Sequence, residues 1–149
     1  MDPADLPVET GTVYPAEFAD VVAGRAKRRL TAALGLTDFG VNLVTLAPGA
    51  ASAMRHWHAN EDEFVLVLSG ELTLITDAGE QVLAAGHCAG FPKGRPDGHH
   101  LVNRSGVPAT YLEVGSRAPS ERVEYSDVDL TAERDGASFR FLRKDGSPF

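Results

Sequence analysis

The chain has 149 residues, of which 43% are hydrophobic and 23% charged, and its formal net charge is −7. A single domain over residues 1–149 is expected at this length, and the acidic charge argues against nucleic acid or anionic lipid as a partner. No stretch is apolar enough for a membrane helix, and the acidic N-terminus lacks the apolar core of a secretory signal.

Residues 1–37 are expected to form an N-terminal arm. Its first part contains three prolines and little periodicity, which is typical of an extended segment. A basic cluster follows at Arg25–Arg29, and such a cluster could bind phosphate, nucleic acid or an acidic partner. No aromatic residue interleaves with it, so we favour a solvated face. In that interpretation Leu30, Ala33 and Leu34 pack inward from a turn or short helix.

The middle of the chain changes to a strand period and carries a histidine pair. His56 and His58 lie two residues apart in a strand-like segment, so both imidazoles project to the same face. Glu63 follows a short polar turn and opens an apolar run. Two imidazoles and a carboxylate are the start of a site for a divalent transition metal. His99 is the candidate fourth ligand, although an incidental histidine pair beside a solvated acidic turn is the competing interpretation.

The apolar run after Glu63 has two apolar faces. Val65 and Val67 share the Glu63 side, whereas the alternate residues Phe64, Leu66 and Leu68 form the other. A strand with one face in water alternates apolar with polar residues. The second face therefore needs a cover, either the terminal arms or another subunit, and we predict a homodimer.

Further short strands follow, separated by turns. The pattern predicts a hairpin of residues 71–76 and 80–83, a Gly/Pro-rich loop at 91–98, and strands at 99–103 and 109–115. Cys88 is expected to be a small buried apolar residue rather than a reactive thiol or soft metal ligand. Because it is alone, no internal disulfide can form, which fits a cytoplasmic location.

These short strands, with little helical pattern, predict an all-β sandwich or barrel of the jelly-roll class. The barrel core is expected at about residues 38–117. The C-terminal segment, residues 118–149, is expected to wrap the surface as a second arm, with a strand-like stretch containing Phe139 and Phe141 that docks on the barrel.

Two segments resemble the motifs of the cupin superfamily. The first motif carries Gly49, His56, His58, Glu63 and Gly70. The second carries Gly86, Pro92, Gly94, His99 and Asn103. A loop two residues longer than the usual pattern leaves His99 and His100 as alternatives for the last ligand, and the His-x-x-x-Asn ending favours His99. The resemblance covers residues 49–103 and implies a double-stranded β-helix, that is, a jelly-roll barrel.

Four such ligands suit Mn, Fe, Co, Ni or Zn and leave positions for water or a chelating molecule. Two functions follow as alternatives. The first is a small metalloenzyme that uses Lewis-acid catalysis on an oxygen-rich small molecule, such as a sugar derivative or organic acid. The second is a module that binds or senses a small-molecule ligand without chemistry. No extra acid–base group is evident within the motifs, although Tyr111 and Glu113 are candidates.

Overall fold

The structure is a computed structural model that describes all 149 residues. β-strands are the predominant regular secondary structure, as the all-β prediction requires. Two 3-10 helices lie at Pro3–Asp5 and Ala16–Val22. The other elements are one α-helix and twelve strands: β1 (Arg25–Arg29), α1 (Leu30–Ala33), β2 (Phe39–Leu46), β3 (His56–His58), β4 (Glu63–Ser69), β5 (Glu71–Thr76), β6 (Gly79–Ala84), β7 (Cys88–Phe91), β8 (His100–Val102), β9 (Ala109–Ser116), β10 (Ser120–Tyr125), β11 (Thr131–Asp135) and β12 (Ser138–Leu142). No helix is long and apolar enough to cross a bilayer.

The strands form antiparallel sheets that enclose one main core. The largest sheet has the order β1-β2-β9-β4-β7, and two smaller sheets have the orders β12-β11-β10-β3 and β6-β5-β8. An isolated bridge between His56 of β3 and His99, which directly precedes β8, joins the two smaller sheets. Non-consecutive neighbours such as β4 and β9 are typical of a jelly roll. The predicted fold class is therefore confirmed.

The interior follows the strand parity predicted for β4. Val65 and Val67 are buried on the Glu63 side and pack with Val44 and Leu46 of β2. Inward residues of neighbouring strands fall in register, because β4 and β2 both pair with β9. The side chains of this face supply the apolar burial that stabilises the barrel, and Glu63 lies at its open end.

The outer face of the largest sheet stays uncovered within one chain. Phe64 is 40% exposed and Leu68 is 45% exposed, so the terminal arms do not cover this face. Cys88 lies at the sheet edge in β7 and is exposed. The prediction of a buried Cys88 is wrong, because an edge strand opposite the outer-facing Leu66 places the thiol outside the core.

The basic segment Arg25–Arg29 is a strand, and the short helix predicted after it is present as α1 (Leu30–Ala33). Arg25–Arg29 pairs with β2 along its whole length and extends the largest sheet. The prediction that Ala33 and Leu34 pack inward is wrong, since both are exposed, Leu34 by 58%, and Leu30 is half-buried. Thr31 is buried instead, and its hydroxyl accepts a hydrogen bond from the backbone N–H of Val41 at 2.9 Å. The favoured interpretation of a solvated face is wrong, because pairing with β2 leaves Arg25–Arg28 half-buried and only Arg29 exposed, with Arg25 and Lys27 in the lining of a cavity.

The segment after residue 117 also contributes strands. β10, β11 and β12 form an antiparallel meander, and β10 pairs with β3, the strand of the histidine pair. The strand predicted around Phe139 and Phe141 is present as β12. Phe141 packs on a second buried cluster with Tyr125, whereas Phe139 stays half exposed.

Asn103 is expected to be one of the most stabilising polar residues of the fold. Its fully buried side-chain amide donates to the backbone carbonyls of Leu46 (2.9 Å) and Val107 (2.8 Å). Asn103→Ala leaves both carbonyls without a donor and should lower the free energy of unfolding by about 3 kcal/mol. Urea denaturation measures the loss. Asn60→Ala is the control, because its amide makes a similar bond at the exposed surface, and an equal loss in both variants would contradict the argument.

Candidate metal centre

The first two predicted ligands lie on one short strand. β3 contains only His56, Trp57 and His58, and it pairs with β10 so that Tyr125 opposes His56 and Val123 opposes His58. Alternate residues share a face, so both imidazoles line the same cavity. Trp57, between them, has the opposite parity and does not line this cavity.

Glu63 and His99 complete the group from two other parts of the chain. Glu63 begins β4, and His99 immediately precedes β8, where its backbone exchanges two hydrogen bonds with His56 (2.8 and 3.1 Å). From Oε2 of Glu63, the Nε2 atoms of His99, His58 and His56 lie at 3.0, 3.3 and 3.9 Å. The Nε2 atoms of His56 and His58 are 3.2 Å apart. The structure thus brings all four predicted residues together, and their binding of a metal stays a prediction.

The neighbouring His100 does not join this group. Its Nδ1 lies 2.9 Å from the backbone carbonyl oxygen of Ala53. The His99 ring is buried and stacks flat on Phe91, with the two ring centroids 3.5 Å apart. Of the two alternatives left by the sequence, His99 is therefore the one whose geometry suits a ligand.

The tautomer of His56 suits metal binding. His56 Nδ1 lies 2.7 Å from the carbonyl oxygen of Met54, a contact that requires a proton on Nδ1. The lone pair of His56 is then on Nε2, which faces Glu63 and His58. Burial lowers the pKa of His56 to about 3, so the ring is neutral at physiological pH. A neutral imidazole is the form that binds a metal.

The acid–base balance of the group favours a charged Glu63. Burial by itself raises the pKa of a carboxyl group, but hydrogen bonding from His58 and His99 holds the pKa of Glu63 well below its usual range. Burial likewise acts to lower the pKa of His58, and Glu63 and Glu121 raise it above its usual value. A buried carboxylate that faces three imidazoles is stabilised by a proton or by a cation. The donor set of three nitrogens and one oxygen fits a divalent transition metal.

The four residues open into a cavity of about 210 Å³. Both candidates raised from the sequence, Tyr111 and Glu113, line it. Side chains that sequence analysis did not assign to a site also line it, among them Tyr14, Arg25, Lys27, Asn42, Arg117 and Tyr125. For Arg25 and Lys27 the sequence contained one signal: they lie two residues apart, the spacing of side chains on one face of a strand.

Glu113 is held in place on the cavity wall. Its Oε1 accepts hydrogen bonds from Lys27 Nζ at 3.1 Å and from Asn42 Nδ2 at 2.9 Å. Its Oε2 makes no hydrogen bond to the protein. On the same wall, the hydroxyl of Tyr111 is buried without a partner, and burial raises the pKa of this hydroxyl well above its usual range. The Tyr111 hydroxyl therefore keeps its proton at neutral pH and can donate a hydrogen bond.

Arg117 lies across the backbone of Gly40. A β-carbon at residue 40 would lie only 2.5 Å from Nη2 of Arg117, so the missing side chain of Gly40 makes room for the guanidinium. Neither Arg117 nor Arg25 forms an ion pair with a carboxylate. Arg25 donates instead to the backbone carbonyls of Ser52 (2.7 Å) and Gly11 (3.3 Å). Two guanidinium groups of the cavity thus have no carboxylate partner, in a protein whose net charge is strongly negative.

Comparison with known proteins identifies the family. The sequence model of the cupin domain family matches residues 42–115. The crystal structure of a sugar phosphate isomerase of the cupin superfamily from Silicibacter pomeroyi is 48% identical, superposes with a TM-score of 0.97, and covers 100% of this chain and 95% of that one. No curated protein matches the sequence.

Two more distant structures share the fold. A candidate sugar phosphate isomerase from Acidithiobacillus ferrooxidans is 27% identical, with a TM-score of 0.77 and coverage of 84% of this chain and 80% of that one. The polyketide cyclase RemF from Streptomyces resistomycificus is 20% identical, with a TM-score of 0.64 and coverage of 78% and 77%. The family model, the near-complete match to the Silicibacter protein and the two histidine-containing motifs agree. The chain therefore belongs to the cupin superfamily.

Proposed function

We propose that this protein is a metal-dependent isomerase that interconverts the aldose and ketose forms of a small sugar phosphate. The observation that carries the proposal is the shared cavity, which is lined both by a group of metal-ligand type and by two arginines without a carboxylate partner. The name of the Silicibacter relative, which is similar over its whole length, supports the same substrate class.

His56, His58, Glu63 and His99 would hold the metal, a divalent ion of Mn, Fe, Co, Ni or Zn. When bound, such an ion acts as a Lewis acid that stabilises negative charge developing on a sugar oxygen. Two neighbouring residues hold the histidine rings in place: the backbone carbonyl of Met54 orients His56, and the ring of Phe91 orients His99. These supports keep the donor atoms converged before any ligand arrives.

The part of the cavity that carries Arg25 and Arg117, here called the cationic wall, could bind the phosphate group. Gly115 pairs with Glu63 on one side and with Gly40 on the other. Two strand spacings of about 4.8 Å therefore separate Glu63 from Gly40, or about 10 Å between their α-carbons. Arg117 lies on Gly40, so its guanidinium is at a distance that a short sugar chain can span. Guanidinium groups bind phosphate through paired hydrogen bonds.

Glu113 is placed to move the proton of the reaction. Isomerisation transfers a proton from C2 of the sugar to C1 and another from O2 to O1, and needs no oxidant or reductant. Glu113 is the diagonal neighbour of Glu63 on the inner face, about 7–8 Å away. Its free Oε2 can take the proton from C2 and return it to C1. The Tyr111 hydroxyl can donate a hydrogen bond to a sugar oxygen.

The direct test is an isomerase assay with the protein loaded with each divalent metal in turn. Tetrose, pentose and hexose phosphates are incubated in D₂O and followed by NMR. We expect conversion of at least one substrate, with solvent deuterium entering the carbon next to the carbonyl, and loss of conversion after chelation. A metal-loaded protein that binds sugar phosphates but converts none would overturn the proposal in favour of the non-catalytic binding module.

Arg117→Met is expected to weaken recognition of the phosphate. Losing a charged hydrogen bond costs about 1.5–3 kcal/mol, so the KM for the phosphorylated substrate should rise about 10- to 100-fold while metal affinity is unchanged. Steady-state kinetics and a metal titration measure the two effects. Arg104→Met is the matched control, because Arg104 pairs with Glu80 at the surface. An unchanged KM in Arg117→Met would remove Arg117 from the site.

We also propose that a second copy of the chain covers the outer face of the largest sheet. This face carries the exposed Phe39, Phe64 and Leu68, and patches of this kind mark association surfaces. Light scattering at micromolar concentration should give the mass of a dimer, and Phe64→Glu should shift it to a monomer, whereas Val82→Glu on an exposed position of β6 should not. A monomeric mass for the unmodified protein would refute the dimer. The cytoplasmic location expected from the lone cysteine stays a prediction.

A further inference from the structure

Glu121 is a buried carboxylate behind the candidate metal centre. It lies in β10, two residues before Val123, which pairs with His58 across the strands. Its side chain is only 4% exposed. It does not line the substrate cavity, and neither cupin motif includes it. Burying a carboxylate is costly unless its oxygen atoms are satisfied, so its position needs an explanation.

One of its two oxygens is fully used by the backbone. Oε1 of Glu121 accepts hydrogen bonds from the N–H groups of Ala59 (3.0 Å), Asn60 (3.1 Å) and Arg122 (2.7 Å). These three donors hold the carboxylate in one orientation. Oε2 is buried and has no hydrogen-bond partner. The fold therefore fixes the direction of Oε2 without satisfying it.

Oε2 of Glu121 faces Nδ1 of His58, the ring nitrogen that points away from the candidate metal centre. Nδ1 of His58 lies 3.9 Å from Oε2 of Glu121, and it too is buried without a partner. The other ring nitrogen, Nε2, lies 3.3 Å from Glu63. His58 is thus placed between two carboxylates, with one nitrogen toward the metal centre and the other toward Glu121. The 3.9 Å separation is longer than a hydrogen bond, and a ring movement of about 1 Å toward Oε2 would satisfy both buried groups.

A second cation between these residues is the alternative to a hydrogen bond. His58, Glu61 and Glu121 each offer a ligand atom, and these atoms lie within 4.8 Å of one another. Glu61, however, already accepts hydrogen bonds from the Arg134 guanidinium and from the backbone N–H of Ala118 (2.8 Å). Arg134 supplies the positive charge that a cation would bring, and the N–H groups occupy Glu121 Oε1. This group therefore suits a hydrogen bond to His58 and not a further metal.

We propose that Glu121 is a positioning residue that accepts the Nδ1 proton of His58 and so keeps the lone pair of His58 on Nε2. The inference rests on the metal centre of the proposed function. Each histidine of the centre then has its own support: His56 has the Met54 carbonyl, His99 has the Phe91 ring, and His58 has Glu121. A carboxylate that accepts from a ligating imidazole raises its basicity and fixes its tautomer, and removing such a partner costs about 10- to 100-fold in metal affinity.

Glu121→Gln tests the inference without removing the three backbone hydrogen bonds. The amide oxygen of glutamine can replace Oε1, which leaves the NH₂ group facing His58 Nδ1. An NH₂ group donates and cannot accept, so it favours the His58 tautomer that carries its proton on Nε2. In that tautomer Nε2 has no lone pair and cannot bind a metal. Titration with Co²⁺ should show a dissociation constant about 10- to 100-fold higher than that of the unmodified protein. Glu124→Gln, which removes the same charge from the other face of β10, should change it less than twofold.

A second measurement uses the unmodified protein. In the Zn²⁺-loaded form, ¹⁵N NMR of the histidine rings should show a proton on Nδ1 of His58, in the low-field range of hydrogen bonds to carboxylate. Ligation of His58 through Nδ1 would overturn the inference. So would an unchanged Co²⁺ affinity in Glu121→Gln, or an equal loss in Glu124→Gln. An unmodified protein that binds neither metal would refute the metal centre itself, and with it the proposed function.

Discussion

Glu63→Gln is expected to abolish metal binding, the largest effect of any single substitution in the protein. Glu63 is the only anion in the group, and its Oε2 lies within 4 Å of three imidazole nitrogens. Glutamine keeps the size of the side chain but removes the charge that offsets a divalent cation. We expect an affinity loss of more than about 100-fold, since even an outer partner is worth 10- to 100-fold. Elemental analysis of the purified variant and a Co²⁺ titration measure it.

The control for this substitution is Glu71→Gln, an exposed carboxylate on β5 outside the cavity. It should keep the metal content of the unmodified protein. Circular dichroism establishes that both variants are folded. Equal metal content in Glu63→Gln and the unmodified protein would show that the cation, if bound, lies elsewhere.

Glu113→Gln is expected to remove turnover while leaving the metal centre intact. Its amide oxygen can still accept from Lys27 and Asn42, so the cavity keeps its shape. An amide cannot take a proton from carbon, and loss of a positioned general base lowers kcat by about 10²- to 10⁴-fold. The KM should change little, because binding of the phosphate depends on the cationic wall. Steady-state kinetics of the isomerisation and deuterium incorporation in D₂O measure the effect.

Two outcomes would contradict the role of Glu113. One is a kcat within threefold of the unmodified protein at equal metal content. The other is a kcat loss in Glu113→Gln that comes with loss of metal, which would make Glu113 a structural support of the centre. Glu71→Gln again serves as the control, with a kcat expected to match the unmodified protein.

The three central residues of the candidate site could be predicted because local geometry decides them. Strand alternation places His56 and His58 on one face, and the short turn before Glu63 returns the chain to the same end of the barrel. Parity along β4 likewise predicts which of its residues are buried, as Val65 and Val67 are. These features depend on a few neighbouring residues, so the sequence alone was enough.

Interactions between distant segments decided the remainder. The basic segment became part of the cavity because Arg25–Arg29 pairs with β2, and Lys27 meets Glu113, 86 residues further along the chain. The sequence already favoured His99 over His100 through its His-x-x-x-Asn ending, and the tertiary structure supplies the geometry, namely the bridge to His56 and the stacking on Phe91.

Glu121 reaches His58 only because β10 pairs with β3. A residue pattern determines which way a side chain points within its own strand, and here it determined the fold class and the histidine pair. Which strands lie side by side depends on the packing of the whole chain, and that packing alone brought the cations, Glu113 and Glu121 to the site.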